Sequence, residues 1–399
     1  MQRLHRYIVT LLCMIACALP ARAITPRLQA SLITCYPGPE VYELVGHEAL
    51  RIHGTTPDGL AMDSVWNYGV FDFAAPNFIY RFVKGETDYM VYGYPFSFFM
   101  PQYVERGSRV VEQQLNLTPG ETLDLLKRLQ INALEPNRTY RYNYVRDNCS
   151  TRVAAMLDSA VAPRRIIYPD SVSFGSFRDA MRTYHTNYPW YQFGIDLALG
   201  SGIDHELTPR QEIFAPLRLM QLAAYARFSG DGKPLVSRTV VLYPGRPGAV
   251  LPPTPGYLTP MAAGILILLL SIVVSIMECR RRRIIRWWMS LWFTILGLCG
   301  CVIWFLVFVS THDSTSPNLL FLWLNPLQLV IGAGVWCRVM RPAVMAMAIV
   351  DMVVLLLLAL IWPFQAQSAN PAVFPMWAST VILCCAYTLV YNKDKYHNG

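Results

Sequence analysis

The chain has 399 residues, a formal net charge of +8 and 54% hydrophobic residues. That apolar content excludes an intrinsically disordered chain, and its concentration in the C-terminal third excludes a wholly soluble one. The excess of basic residues collects at the ends of apolar segments, where it orients a membrane protein, so it does not argue for a nucleic-acid partner.

In chain order, the first element is a processing signal. Arg3 and Arg6 form a positive n-region, "YIVTLLCMIACALP" an apolar h-region and Ala21-Arg22-Ala23 a small-residue cleavage site, so residues 1–23 read as a signal peptide and Ile24 as the mature start. A lipobox at Cys17 is the competing reading, and Met14 fits it poorly. Residues 24–256 have the composition of an exported soluble domain. Residues 257–392 then read as five membrane helices, at about 258–277, 287–309, 319–337, 342–362 and 374–391, with a short tail at 393–399. The basic residues in "ECRRRRIIR", Arg338, Arg341, Lys393 and Lys395 all fall on one side of these spans, and the loops "STHDSTSPN" and "PFQAQSANPAVFP" carry no Lys or Arg. The expected topology has the N-terminal domain in the periplasm and the C-terminus in the cytoplasm.

Within the exported domain, "SLITCYPG" (31–38) reads as a strand ending at a turn. "YELVGHEALRIH" (42–53) and "LAMDSVWNYGVFDF" (60–73) flank the turn signal "GTTPDG" and form a hairpin. Counting outward from the turn places His47 across from residues 66–68, with Asn67 the best-placed polar side chain. "YMVYGYPFSFFM" (89–100) is either core strand or a segment resting at the membrane interface. "TPGETLDLLKRLQINAL" (118–134) has the capping-box pattern of a helix, with Thr118 at the cap and Glu121 three residues on. "YRYNY" reads as a short strand, and a helix begins at Cys149. Residues 163–255 hold a possible helix, "PRQEIFAPLRLMQLAAYARF", and are otherwise hard to read.

The exported domain keeps two cysteines, Cys35 and Cys149. In an oxidising compartment they are candidates for one disulfide. Cys149 alone stands at a helix N-terminus, where the amides and the dipole favour a thiolate and can hold an oxyanion. His47 is the candidate base, and Asn67 the residue that orients its ring. A buried structural cysteine and a satisfied core histidine remain the competing assignments. "HEALR" misses the zinc-protease pattern because Arg51 takes the place of the second histidine, so no metal site is expected there. Asn148-Cys149-Ser150 is formally a glycosylation sequon and is discounted, because a glycan there would bury the nucleophile.

Three co-linear motifs, "LITCYPGPEVYELVGHEALRI", "WNYGVFDF" and "YNYVRDNCSTR", resemble the Lnb N-terminal periplasmic domain family of bacterial membrane proteins. "THDSTSPNLLFLWLNPLQL" resembles the membrane part of its Bacteroidota members. The family resembles permuted NlpC/P60 papain-like proteins, in which histidine precedes cysteine, as His47 precedes Cys149 here. The resemblance implies an α+β papain-like (permuted NlpC/P60-type) periplasmic domain, with core motifs in 31–158, followed by an all-α transmembrane domain of five helices. It also implies a lipoprotein N-acyltransferase of the inner membrane. The Cys149 thiolate would take an acyl chain from a phospholipid, amides around 149–151 would hold the oxyanion, and a diacylglyceryl lipoprotein would accept the chain on its α-amino group. No cofactor or metal is implied. The role of Cys35 stays open.

Further candidates for substrate contact are Tyr144, His312, Asp313 and Asn325. His312, Asp313 and Asn325 would either line a lipid entrance or dock the exported domain; the alternative is a solvated loop and a helix cap before Pro326. Asp351, inside a span, is either a packing contact or a functional group. Two alternative functions use other chemistry: a membrane-anchored cysteine peptidase or amidase acting on peptidoglycan, and a non-catalytic envelope-assembly protein.

Overall fold

The computed structural model describes residues 27–397 except 171, 172 and 174, and the side chains only as far as 391. The signal peptide expected at 1–23, the mature start at Ile24 and the Lys393 and Lys395 side chains lie outside the described residues.

The N-terminal part is built on a seven-stranded antiparallel sheet. Its first strands are β1 (Arg27–Cys35), β2 (His47–Thr55) and β3 (Ala61–Val70). Helix α1 (Phe78–Lys84) precedes β4 (Asp88–Pro95) and β5 (Val110–Leu115), and helix α2 (Pro119–Asn132) precedes β6 (Thr139–Arg141). Helix α3 (Cys149–Val161), helix α4 (Pro189–Ala198) and β7 (Val236–Tyr243) complete the set used below. The strand order is β6-β4-β3-β2-β1-β5-β7. The "GTTPDG" turn does join β2 to β3, and Thr118 caps α2 through a full capping box with Glu121.

Alternation along the strands divides the sheet into two faces. Leu32, Leu50, Trp66 and Tyr68 share one face and pack under α2 and α3 with Leu125, Leu129, Val153 and Leu157. Ile33, Cys35, Ala49 and Val65 share the other with Phe96, Phe99 and Tyr103. "YPFSFFM" therefore belongs mainly to the core: Phe96 and Phe99 are buried, and Phe98 alone among its phenylalanines is exposed. The segment 163–255 is part of the same body, because β7 adds to the sheet edge beside β5. Its expected helix breaks into Pro209–Glu212 and Pro216–Tyr225, since proline at 216 cannot donate to a continuous helix.

Among the described residues, four helices are long and apolar enough to cross a membrane. They are α5 (Pro260–Arg281), α6 (Arg286–Phe308), and two that follow a shorter helix, α7 (Gln328–Gly334): α8 (Arg341–Ile361) and α9 (Val373–His397). The expected third span, 319–337, is not one helix. It comprises the 3-10 turn Leu319–Leu322 and α7, interrupted at Asn325-Pro326. Pro326 lacks the amide a helix needs, and Asn325 replaces the missing bonds by donating to Leu322 O at 3.0 Å and accepting from Leu327 N at 3.1 Å. Broken backbone at such depth is tolerated when protein covers it. Here it lies against α6: a Cβ on Gly300 would stand 2.4 Å from the Asn325 carbonyl carbon. The segment follows α6 from Trp304, which donates to Phe321 O, to Ser290, which donates to Gly332 O at 2.7 Å.

Polar contacts bind the sheet domain to the helical base. Thr311 N donates to Lys84 O at 2.8 Å, Gly200 N to Ser314 O at 2.9 Å, and Ser201 N to Pro317 O at 2.8 Å. Asn370 donates to Asp196, which also takes Arg178 and Arg182.

Candidate active site

β2 begins at His47 and pairs with β3 from Ala49–Asn67 onward. This register differs from the turn count. Asn67 is diagonal to His47, and the position opposite His47 falls to Gly69. Diagonal neighbours on one face are within side-chain reach, and His47 Nε2 lies 2.6 Å from Asn67 Oδ1. On its other side Asn67 Nδ2 donates to Tyr94 Oη at 3.0 Å. Because Asn67 Oδ1 only accepts, Nε2 carries the imidazole proton and Nδ1 is left as the basic nitrogen.

Gly69 has φ +89° and is the extra residue of a bulge between Tyr68 and Val70 in the pairing with β4. Bulges recur beside active sites because they re-aim the chain. The β2–β3 ladder stops at Ala49–Asn67, two residues before the bulge, and Cys149 approaches Gly69 there. A methyl built on Gly69 would lie 3.8 Å from Cys149 Cβ and 3.9 Å from His47 Cε1. Thiol and imidazole thus flank one glycine from two elements that are 102 residues apart in sequence (149 minus 47).

Helix α3 starts at Cys149 because Asn148 caps it. Asn148 Oδ1 accepts from Ser150 N at 2.9 Å and Thr151 N at 3.0 Å. Its Nδ2 donates to Tyr144 O at 2.8 Å and Phe214 O at 2.9 Å. Ser150 Oγ donates to Ile213 O. The otherwise unreadable segment 163–255 thereby holds the Cys149 helix in place. The sequon is closed too, since Asn148 is buried and its amide is fully committed.

The amides facing the Cys149 thiol are those of Glu48, Ser150 and Cys149. Two of these lie in the set expected around 149–151, and the strand amide of Glu48 adds to them. Ser150 N and Thr151 N both bond the Asn148 cap, which leaves the Cys149 and Glu48 amides for the thiol. The expectation of an ionised thiol is corrected: burial pushes the Cys149 thiol up to about 11, outweighing the three amides. Burial likewise lowers His47 to about 4, against the hydrogen bond to Asn67 and with the Arg106 charge adding to it. The resting pair is a neutral thiol beside a neutral imidazole.

Cys35 pairs with His47 in the β1–β2 ladder. It is a free, buried thiol, as Cys149 is a free one, so the structure contains no Cys35–Cys149 disulfide. Burial holds it well above the ordinary thiol range, with Glu48 adding to the shift and Tyr103 opposing it. Glu48 turns its side chain away from His47 to accept from Thr34 at 2.9 Å, and burial raises it well above the carboxylate range.

The remaining candidates do not join the thiol. Tyr144 Oη contacts His185 Nε2 at 3.2 Å in a satellite core with Phe177 and Phe214. His312 and Asp313 dock the sheet domain: His312 Nε2 meets Phe82 O at 2.8 Å, and Asp313 takes Asn143 at 2.9 Å and Arg146 at 2.8 Å. Asn325 is the capping residue described above. Asp351 accepts from Gln328 at 3.0 Å, a contact between α7 and α8. Arg51 pairs with Asp63 and Glu112. A wholly apolar cavity of about 330 Å³ lies between α5 and α6 under Phe193 and Leu197 of α4, and none of the candidate catalytic residues lines it.

With this geometry in hand, comparison with known proteins is informative. A model of the Lnb N-terminal periplasmic domain matches residues 21–184, and a model of the Lnb transmembrane domain matches residues 253–395. The chain belongs to the Lnb family. No curated protein and no solved structure matches it. Membership joins a periplasmic N-terminal domain to a C-terminal transmembrane domain, as in a multi-pass membrane protein, and points to an enzyme of lipoprotein maturation. The Lnb N-terminal match ends at 184, before Phe214 and Ile213, so sequence reasoning had no motif with which to find that support. Gly69 was visible in "WNYGVFDF", but only the bulge shows why a residue without a side chain stands there.

Proposed function

We propose that this protein is a lipoprotein N-acyltransferase, moving an acyl chain from a membrane phospholipid through a Cys149 thioester to the α-amino group of a diacylglyceryl-cysteine lipoprotein. The observation that carries the reading is the approach of Cys149 and His47 to Gly69 from two elements, with the Glu48 and Cys149 amides beside the thiol, in a domain bound at several points to its membrane base. The arrangement follows papain-like logic: a cysteine at a helix N-terminus, a histidine on a strand and an amide that orients it.

In the proposed reaction, His47 Nδ1 takes the Cys149 proton as sulfur attacks the ester carbonyl. The developing oxyanion is received by the Glu48 and Cys149 amides. The ester C–O bond breaks, and His47 returns the proton to the departing lysophospholipid oxygen, leaving the thioester. The lipoprotein amine then attacks, His47 takes its proton, and the amide product leaves as the thiol re-forms. Proton transfer accompanies attack, because burial favours the neutral form of both groups. A buried base and a membrane-bound domain suit two lipid substrates, since drawing either from the bilayer costs about 0.8 kcal/mol per CH₂. The proposed topology puts the arginine-rich ends of the spans in the cytoplasm of an inner-membrane protein, with 1–23 removed as a signal peptide.

The deciding experiment is mass spectrometry of a lipoprotein N-terminal peptide from cells that rely on this protein, comparing wild type with Cys149→Ala. A third acyl chain that disappears in the stably expressed variant supports the transfer. An unchanged lipoprotein sinks it and favours the cell-wall peptidase or amidase.

A further inference from the structure

The strands that form the site continue into a row of half-buried and exposed aromatic rings. Two residues beyond Gly69, Phe71 meets Phe73 edge-on at 4.5 Å and stacks on Phe78 at 5.6 Å. Tyr42, five residues before His47, closes on Phe71 at 6.4 Å and on Phe73 at 5.9 Å. From Phe78 the row continues along α1 to Phe82 at 6.3 Å, and from Phe82 to His312 at 6.3 Å. On the same helix Tyr80 packs on Phe305 of α6 at 6.0 Å. Tyr42, Phe73, Ile79, Tyr80 and Phe82 are 57%, 61%, 77%, 53% and 44% exposed.

A contiguous apolar surface of this kind is costly in water and marks a binding surface. Its neighbour identifies the occupant. α1 lies against the end of α6, and Ser310 and Thr311, directly after that span, hydrogen-bond to Val83 O and Lys84 O. The exposed face of α1 is therefore continuous with the lipid-facing surface of the base, at interfacial depth where aromatic side chains are favoured. An anchor alone would end there. This row instead continues toward the site, to within two residues of Gly69 and five of His47 along the chain.

We infer that Tyr42, Phe71, Phe73, Phe78 and Phe82 form a track along which one acyl chain of a membrane phospholipid reaches Cys149 from the leaflet. The inference rests on the acyltransferase reading for its purpose, but the binding of lipid to the row can be tested without turnover. The rings hold the tail by apolar contact while the ester is presented at Gly69.

The test uses the full-length protein in phosphatidylethanolamine and phosphatidylglycerol vesicles containing a phospholipid with a diazirine at the end of one acyl chain. After illumination, label is expected on the peptide spanning residues 71–84 as well as on the spans. In Phe73→Ser/Phe78→Ser, label on that peptide should fall about tenfold relative to the spans, and Phe73→Leu/Phe78→Leu should restore it. The ratio of Cys149 acylation by phospholipid to acylation by a water-soluble butyryl thioester should fall by a similar factor in the serine variant. Label confined to the spans, crosslinks joining two copies through the row, or an unchanged acylation ratio would each overturn the track. A labelled row in a wild-type protein that forms no acyl-Cys149 from either donor would support the lipid site and sink the acyltransferase reading instead.

Discussion

His47 and Asn67 are bonded at 2.6 Å although their strands do not pair at His47. The contact is diagonal, and the bulge at Gly69 leaves the imidazole room to make it. Asn67 thus sets the tautomer rather than supplying charge. Asn67→Ala is expected to lower acylation of Cys149 about tenfold, the worth of one buried hydrogen bond of roughly 1–1.5 kcal/mol. Asn67→Asp should retain more activity than Asn67→Ala and raise the imidazole pKa, measurable from the pH profile. Equal activity in all three forms would remove Asn67 from the positioning role.

Gly69→Ala tests the bulge. The added methyl meets Cys149 and His47 at ordinary contact distance, so bulk is not the obstacle. The left-handed backbone at φ +89° is, and it costs an alanine about 1–2 kcal/mol. Thermal unfolding in detergent should shift down correspondingly, and the rate of Cys149 alkylation should change as the space at Gly69 narrows. Asn, which tolerates such backbone better, should be the milder substitution.

The neutral resting pair predicts an unusual pH response. Alkylation of Cys149 by iodoacetamide should rise with pH toward a midpoint near 11, beyond the ordinary thiol value of 9.0. The acid limb of activity should fall near pH 4, where His47 protonates, and not near 6.5. The stability signs follow from linkage. His47 binds its proton more weakly when folded, so its contribution is present above about 6.5 and is lost as pH falls toward 4. Cys149 holds its proton more tightly when folded, so its contribution is present below 9.0 and is lost as pH rises toward 11. A thiol titrating near neutrality would contradict the burial that sets both values.

Asp196 joins the two halves of the molecule. It is fully buried, pairs with the buried Arg178 at 3.2 Å and receives Arg182 and Asn370. Asp196→Ala leaves the Arg178 guanidinium without one of its two carboxylate partners, the other being Asp204, and should cost about 3–5 kcal/mol. Limited proteolysis should then cut the segments around 196–204 and 365–372 faster than in wild type. Asp313→Ala, which breaks a half-exposed pair with Arg146, should cost no more than about 1 kcal/mol.

The locally encoded features were legible in the sequence. The "GTTPDG" turn, the Thr118 capping box, the start of a helix at Cys149 and four apolar spans depend on residues within a few positions of one another, so composition and spacing determine them. The break at Asn325-Pro326 was also written locally, but hydropathy averages over a window and hides a single proline. Tertiary structure alone decided the rest. It set the one-residue register that puts Gly69 opposite His47, brought the Glu48 amide to the thiol, placed Phe214 and Ile213 behind the Cys149 helix, and turned His312 and Asp313 into docking contacts. It also reversed the expected charge of Cys149. A helix N-terminus favours a thiolate by a local field, whereas burial is a property of everything packed around the sulfur, and here burial is the larger effect.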